Sequence, residues 1–341
     1  MVEGSALVTG GSGFVGSHLV PALVGEGWEV RSCGRGERPS WLPAAVDWRV
    51  ADLAEEASDL GALVEGVSHV FHLAGASSSK SAQDEMERSN VGGTTRLVAA
   101  SQASHVERFV HMSSTSVYGE KVRLPLPVSE DVQPQPSRGY GKAKWGAEEA
   151  VWRASAGGFP AVVLRPVTVY GPGNVKLLAS AILDVAIERF AGASEVPVHR
   201  EPIEQRLLHI DDLVGACLHL ARHDAAVGRA FNVVVDHYPT SHELAATIAA
   251  DFGMNIVLDD DPDCGPSTEA RRRVHDEMLA AGMTDDILLS PERLRLMRKS
   301  NINNRLSVEA LRSTGFDFKE TDLASSIGRT IAWYREHGWV I

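Results

Sequence analysis

The sequence predicts an α/β fold: a doubly wound, Rossmann-like parallel sheet followed by a smaller C-terminal substrate-binding lobe. In the first half, short apolar or β-branched runs alternate with longer stretches of helical spacing. This alternation indicates a parallel sheet with helices on both faces. A glycine-rich turn follows the first run, and from Asp236 onward most segments have helical spacing. These observations define both the fold class and the division of the chain.

Each element of the sheet is predicted from its own periodicity. Apolar or β-branched runs predict strands at 6–9, 29–34, 46–50, 69–74, 108–112 and 161–165. Helical spacing predicts helices at 13–25, 83–104 and 138–156. Two further runs, 206–210 and 230–234, are expected to extend or flank the sheet.

The C-terminal part is predicted to be mainly helical. Its expected elements are helices at 241–252, 269–281, 307–314 and 322–337 and a short strand at 255–258. We therefore expect a dinucleotide-binding domain over residues 1–165, to which segments around 205–234 return. Residues 166–341 are expected to form mainly the substrate-binding lobe. The pocket is expected to be lined from 75–80, 170–177 and 198–206.

Composition narrows the class of protein. The 341 residues carry a formal net charge of −12, and 44% are hydrophobic. An acidic surface argues against nucleic acid or a membrane surface as a partner and leaves a small-molecule substrate. No apolar run approaches the roughly 18 residues that a membrane helix needs. The chain enters a strand-like run by about residue 5, which leaves no room for a signal peptide, so we expect a cytoplasmic protein.

Other polar and cysteine patterns predict no metal site. Cys33, Cys217 and Cys264 are widely spaced and are predicted to be reduced, buried thiols. The 13 histidines contain no H-E-x-x-H spacing, and the acidic run 259–261 lacks the ligand ladder of a calcium loop. The basic run 271–273 is interpreted as a solvated helix face.

The glycine-rich turn predicts dinucleotide binding. Gly10, Gly13 and Gly16 are spaced as G-x-x-G-x-x-G between a predicted strand and a helix that begins at Phe14 and Val15. Glycine permits a tight turn and close backbone approach, and a helix N-terminus presents N–H groups and a positive dipole end to a pyrophosphate.

Tyr140 and Lys144 are candidates for proton transfer. They are four residues apart, which places them on one face of the predicted helix. We expect the Lys144 ammonium and an oxidised nicotinamide to lower the pKa of the phenol, so that Tyr140 exchanges a proton with a carbonyl or carbinol oxygen. Ser114 follows the strand 108–112, where its hydroxyl can hold the reacting oxygen. Ser113 is the competitor for this role.

These motifs together resemble the extended short-chain dehydrogenase/reductase family, which includes nucleotide-sugar epimerases, dehydratases and ketone reductases. The glycine spacing, SSTSVYG at 113–119 and YGKAK at 140–144 carry the resemblance. Further matching stretches are HLA at 72–74, NVGGT at 90–94, LRP at 164–166, YGPG at 170–173, HIDDL at 209–213 and FNV at 231–233.

The resemblance implies roles for individual residues. Ser114 is the family's catalytic Ser/Thr position, Tyr140 is its acid/base, and Lys144 also binds the nicotinamide ribose. Asp52 and Leu53 resemble the adenine contact. The resemblance also implies a homodimer. The remaining expected cofactor contacts are Leu73, Ala74, Asn90 and Pro166, and the expected substrate contacts are Ser114, Thr168, Asn174 and Arg206.

The end of the second strand favours NADP over NAD. An NAD-preferring protein would commonly place a carboxylate there, but this sequence has Gly34 followed by Arg35. A guanidinium can pair with the 2′-phosphate of NADP. Arg31 and Arg38 are possible assistants, and NAD stays the alternative.

Departures from family patterns favour a reductase. Thr115 and Ser116 stand where dehydratases have Asp and Glu. Thr168 replaces an asparagine, and Gln205 an arginine, that epimerases often carry, although Arg206 is adjacent. We therefore expect NADPH-dependent reduction of a ketone, or oxidation of a secondary alcohol, on a small molecule. The alternatives are an NAD-dependent nucleotide-sugar epimerase and a non-catalytic NAD(P) sensor.

Overall fold

The computed structural model describes residues 4–76, 83–119, 123–136, 139–261, 264–284 and 305–341. The expected pocket segment 75–80 lies outside these residues from position 77 on, and so does Arg138 at the start of a predicted helix. The described part of the chain contains no helix that is both long and apolar enough to cross a bilayer. The three cysteines are free and buried, as expected.

The chain divides into two compact units. The first consists of Met1–Val167, Ile210–Val234 and Asn304–Asp317, and the second of Thr168–His209, Val235–Asn303 and Phe318–Ile341. The sequence placed its boundary at residue 165 and a returning segment around 205–234. It did not single out the short third segment of the first unit.

The first unit contains the predicted doubly wound sheet. Its strands in the described chain are β1 (Ser5–Thr9), β2 (Glu29–Gly34), β3 (Asp47–Val50), β4 (His69–His72), β5 (Arg108–Met112), β6 (Ala161–Pro166) and β10 (Ala230–Val233). These seven parallel strands lie in the order β10-β6-β5-β4-β1-β2-β3. The order reverses at β1, whose neighbours are β2 and β4, and this is where ligands collect on open α/β sheets.

Apolar side chains on the strands and helices form the core of this unit. Leu7, Val70 and Phe109 on the strands pack with Leu97 and Val151 on helices, all of them buried. The helices are α1 (Phe14–Gly25), α2 (Leu60–Val64), α3 (Gln83–Met86), α4 (Gly93–Ala103), α5 (Gly139–Ala156), α7 (Ile210–Arg222) and α10 (Glu309–Arg312).

The helix predicted over 83–104 is not uniform. A π-helical segment, Glu87–Gly92, separates α3 from α4, and it contains the buried Asn90. Single π-helical turns occur frequently at functional sites. Apolar spacing does not distinguish a π turn from an α turn over six residues, so the sequence could not indicate it.

The second unit is mainly helical. Helices α6 (Leu178–Phe190), α8 (Ser241–Asp251), α9 (Thr268–Ala280) and α11 (Leu323–Glu336) surround a core that includes Leu178, Ile182, Ile248, Ile331 and Tyr334. Its strands form two separate parallel pairs, β8 (Glu195–His199) with β11 (Asn255–Asp259) and β7 (Thr168–Tyr170) with β9 (Leu207–His209).

Two expectations for the later segments are wrong. The run 206–210 does not extend the main sheet, because β9 pairs with β7 instead. In place of the helix predicted over 307–314, the structure has α10, which is only four residues long. Both segments are short, and a short apolar run does not specify its partner.

Candidate active site at the strand ends of the first unit

The glycine turn after β1 is shaped by its own backbone contacts. Gly10 has a φ of +72°, and a Cβ there would lie 2.9 Å from the backbone of Ala74. A Cβ on Gly16 would lie 2.5 Å from the carbonyl oxygen of Gly11. Both positions therefore exclude a side chain whether or not a ligand is present.

Gly13 differs from the other two glycines of the motif. It is exposed, and the nearest atom to a Cβ placed there is the carbonyl oxygen of Gly10, at 3.2 Å. As the N-cap of α1 it makes no side-chain capping bond. The N–H groups of Phe14, Val15 and Gly16 have no acceptor within the helix. The start of α1 is thus an open backbone cradle that fits a pyrophosphate.

The end of β2 has no room for a carboxylate. A Cβ on Gly34 would lie 2.7 Å from the Trp48 ring and 2.8 Å from Ser12 Oγ. Sequence reasoning noted the missing acid but not Trp48, whose contact with β2 depends on the pairing of β2 with β3. Packing at this strand end is therefore incompatible with the residue that usually holds a ribose 2′-hydroxyl.

The three arginines near this strand end have different surroundings. Arg31 donates to Asp47 and to carbonyl oxygens at the end of α2. Arg38 donates to the carbonyl oxygens of residues 42, 43 and 46. Arg35 is exposed directly after the strand. Two of the three guanidinium groups therefore brace the protein.

Asp52 and Leu53 lie in a braced loop after β3. Asp52 Oδ1 accepts from the backbone N–H of Ala54 at 2.9 Å. Leu53 is buried, and a Cβ added to Gly93 would lie 3.1 Å from the Leu53 Cβ. Arg96 donates to four carbonyl oxygens between residues 53 and 58, which fixes the shape of the loop.

The end of β4 is held by a buried histidine. His72 Nδ1 lies 2.7 Å from Thr9 Oγ1, and its Nε2 lies 2.8 Å from Thr94 Oγ1. Burial lowers the pKa of His72 to about 3, so the ring is neutral. The backbone N–H of Ala74 donates to Thr9 Oγ1 at 3.3 Å. The half-buried Leu73 and Ala74 are thereby placed beside the glycine turn.

Asn90 and Lys144 converge on Gly75. A Cβ on Gly75 would lie 2.6 Å from Asn90 Oδ1 and 3.2 Å from Lys144 Nζ. Lys144 Nζ donates to the carbonyl oxygen of Met112 at 2.8 Å, and Asn90 Nδ2 donates to that of Ala76 at 3.0 Å. Asn90 Oδ1 is buried without a hydrogen-bond donor among the described residues. An orphaned acceptor beside an ammonium group fits a ligand that carries hydroxyl groups, such as a ribose.

Tyr140 and Ser114 lie next to each other at the strand ends of the first unit. Their hydroxyl groups are hydrogen-bonded to each other. Burial raises the pKa of Tyr140 to about 12, and the bond to Ser114 opposes that rise only in part. Lys144 Nζ lies 5.8 Å from the centroid of the Tyr140 ring. Loss of hydration therefore dominates in the chain alone, and the lowering of the pKa by Lys144 and an oxidised nicotinamide together stays a prediction.

Ser113 faces a different set of groups from its neighbour. It is buried, and its Oγ donates to the carboxylate of Glu148, which is paired with Arg165. Ser114 is half-buried and also accepts from the backbone N–H of Ser116 at 3.2 Å. Successive side chains of an extended chain point to opposite sides, so Ser113 contacts Glu148 and Ser114 contacts the phenol.

Sequence reasoning missed the buried network behind this pair. Arg165 Nη1 donates to Tyr118 Oη at 2.9 Å, and Tyr118 donates to Asn232 Oδ1 at 2.8 Å. Glu148 lies one turn after Lys144 on α5 and is fully buried. The signal available in the sequence was a glutamate on the same helix face as Tyr140 and Lys144.

The remaining predicted residues are distributed over both units. Pro166 ends β6, and its carbonyl oxygen accepts from Thr115 Oγ1 at 3.3 Å in the first unit. Thr168 and Arg206 are half-buried in the second unit, where burial lowers the pKa of Arg206. Asn174 is buried in the same unit, and its amide is bonded to the backbone of residues 169 and 176. That amide braces its own loop.

Comparisons with known proteins agree with this arrangement. A model of the NAD dependent epimerase/dehydratase family matches residues 6–234. The chain is 30% identical to GDP-6-deoxy-D-mannose reductase of Pseudomonas aeruginosa over 79% of this chain and 89% of that protein. It is 31% identical to the 4-hydroxy-2-methyl-3-oxo-4-farnesyl-3,4-dihydroquinoline-1-oxide ketoreductase of Stigmatella aurantiaca, over 54% of this chain and 55% of that protein. The match therefore spans little more than half the length of that ketoreductase.

Solved structures show the same fold. The UDP-N-acetylglucosamine 4-epimerase from Methanobrevibacter ruminantium M1, in complex with UDP-N-acetylmuramic acid, superposes with a TM-score of 0.75. The sequences are 20% identical, and the superposition covers 99% of this chain and 100% of that one. With the glycine turn, the Tyr140–Lys144 helix and the family match over residues 6–234, the chain belongs to the NAD dependent epimerase/dehydratase family.

Proposed function

We propose that the chain is an NAD(P)-dependent oxidoreductase that reduces a ketone on a small molecule, with NADPH as its coenzyme. The observation that carries this proposal is the hydrogen bond between Tyr140 and Ser114 at the strand ends of the first unit, with Lys144 four residues later on the same helix. A phenol that keeps its proton at neutral pH is a proton donor, which is what reduction of a carbonyl requires. The reductase and ketoreductase names among similar proteins support the same reaction class.

The proposed chemistry needs two groups from the first unit. When bound, the coenzyme supplies a hydride to the carbonyl carbon. Ser114 Oγ holds the carbonyl oxygen, and Tyr140 gives it a proton, so that the carbonyl becomes a secondary alcohol. Tyr140 then regains a proton from solvent.

Other residues are proposed to bind the coenzyme. The start of α1 at Gly13 receives the pyrophosphate, and Asn90 Oδ1 and Lys144 Nζ receive the hydroxyl groups of the nicotinamide ribose. Lys144 then acts mainly by positioning, since its ammonium is bonded to the carbonyl oxygen of Met112.

Arg35 is proposed to select NADPH over NADH. It is exposed at the end of β2, next to a glycine that cannot be replaced by an acid without a clash. A guanidinium pairs bidentately with a phosphate, and no carboxylate repels the 2′-phosphate from this strand end.

Coenzyme binding and turnover test this proposal together. The freshly purified chain should contain no stoichiometric NAD and should oxidise NADPH with at least one member of a ketone panel. Arg35→Ala should weaken NADPH binding by roughly 10- to 150-fold, since a charge-assisted phosphate pair contributes roughly 1.5–3 kcal/mol, and should leave NADH binding unchanged. Arg153→Ala, which removes an exposed arginine from α5, is the matched control. Tightly retained NAD that interconverts nucleotide-sugar epimers without net oxidation would contradict the reductase proposal and favour the epimerase.

A further inference from the structure

A cavity of about 240 Å³ lies within the second unit. It lies between α6, β8 and α8 and is partly open to solvent, and most of its walls are apolar. Val185, Val196, Val198, Ile203 and Ile248 all contribute to these walls. An apolar cavity of roughly 150 Å³ is enough to hold a benzene ring. The cavity in this unit therefore has space for about two fused rings.

One end of the cavity carries charged groups on α6 and α9. Arg271 is ion-paired with Asp184, and its Nη2 lies 3.8 Å from Glu188 Oε1. The side chains of Arg271 and Glu188 are each 9% exposed, and that of Asp184 is 21% exposed. The sequence placed Arg271 on a solvated face with Arg272 and Arg273, and for Arg271 that interpretation is wrong.

Carboxylates outnumber guanidinium groups in the lining of the cavity. The lining residues include the carboxylates of Asp184, Glu188 and Glu201, one guanidinium, that of Arg271, and the imidazole of His199. Arg271 Nε also donates to the carbonyl oxygen of Pro266 at 3.1 Å, so part of its donor capacity is already used. An anionic ligand would meet more carboxylates than guanidinium groups in a largely apolar, partly open cavity, where charge repulsion is screened less than in bulk water. An amine or hydroxyl group would instead find carboxylate oxygens that accept hydrogen bonds.

We propose that this cavity is a binding site for an apolar small molecule, of up to two fused rings, that carries an amine or hydroxyl group. The site discriminates against carboxylates and phosphates of the same size. It lies wholly within the second unit, so its occupancy does not depend on the proposed reductase reaction, and its test needs neither coenzyme nor turnover.

Three indoles of similar size but different charge test the proposal. Tryptamine is cationic, tryptophol is neutral with a hydroxyl group, and indole-3-acetate is anionic. Calorimetric titration should show that tryptamine and tryptophol bind, with indole-3-acetate at least tenfold weaker than tryptamine. In a sample with ¹³C-labelled isoleucine methyl groups, tryptamine should shift the signals of Ile203 and Ile248. Equal or tighter binding of indole-3-acetate, or absence of binding by all three, would overturn the proposal.

Variants locate the binding within the cavity. Ala245→Phe places a ring in the cavity and should abolish tryptamine binding. Asp184→Asn removes one carboxylate and should reduce the preference for tryptamine over indole-3-acetate several-fold. Glu277→Gln changes the net charge equally at an exposed position of α9, outside the cavity, and should leave the preference unchanged. If Ala245→Phe does not fold, the methyl shifts of the unmodified chain decide the location: shifts confined to residues outside the cavity would contradict the proposal.

Discussion

Each unit of the molecule buries an arginine against carboxylates, but the two arginines have different surroundings. In the first unit, Arg165 donates to both oxygens of Glu148 and to Tyr118, and the acceptors are protein atoms packed behind the strand ends. In the second unit, Arg271 is paired with Asp184, and both side chains line open space. The donors of Arg165 are directed into the protein, whereas Arg271 and its partners border a cavity that can admit another molecule.

The difference indicates separate uses for buried charge. A buried pair that is fully hydrogen-bonded fixes geometry, and here it joins α5, which carries Tyr140 and Lys144, to the strand β6. Ser113 is bonded to the same carboxylate, so the chain beside Ser114 is held as well. A pair that borders a cavity lies next to space that a ligand can occupy, and it can contribute to recognition of that ligand.

The largest expected effect comes from breaking the fully satisfied pair. Arg165→Met should lower the free energy of unfolding by about 3–5 kcal/mol, because Glu148 would be left buried without its counter-ion. Urea denaturation measures the loss. The double variant Arg165→Met, Glu148→Met should be more stable than Arg165→Met alone, since it removes both charges. A single variant that loses less than about 1 kcal/mol would show that water reaches this pair.

A smaller effect is expected at the cavity. Arg271→Met also removes a cation from between two carboxylates, but Asp184 is partly exposed and the adjoining cavity can admit water. We expect a loss of about 1.5–3 kcal/mol, which is the range for a hydrogen bond to a charged group. Arg273→Met, at an exposed position of α9, is the control and should stay within about 0.5 kcal/mol of the unmodified chain. If Arg271→Met costs as much as Arg165→Met, the two arginines do not differ as proposed.

The two units also differ in how much of them could be predicted from sequence. The glycine turn and the Tyr140–Lys144 spacing are local patterns, and the alternation of strands and helices correctly predicted the parallel sheet of the first unit. Strand partners were harder: the short run that became β9 has the same apolar character whether it joins the main sheet or pairs with β7.

Burial of charge was the least predictable property. Arg271 is adjacent in sequence to two exposed arginines, and only the packing of α9 against α6 buries it. Glu148 is likewise one polar residue on a long helix until β6 brings Arg165 opposite it. The raised pKa of Tyr140 follows from the same cause, since loss of hydration depends on neighbours that are distant in sequence.

Whether Tyr140 supplies the proton can be decided by comparing turnover and coenzyme binding in Tyr140→Phe. Removing one hydroxyl keeps the ring and its packing, so NADPH should bind with a Kd within about twofold of the unmodified chain. The kcat for ketone reduction should fall by about 10²–10⁴-fold, the range for loss of a general acid. Turnover within about tenfold of the unmodified chain, with NADPH binding intact, would contradict the assignment of Tyr140 as the proton donor.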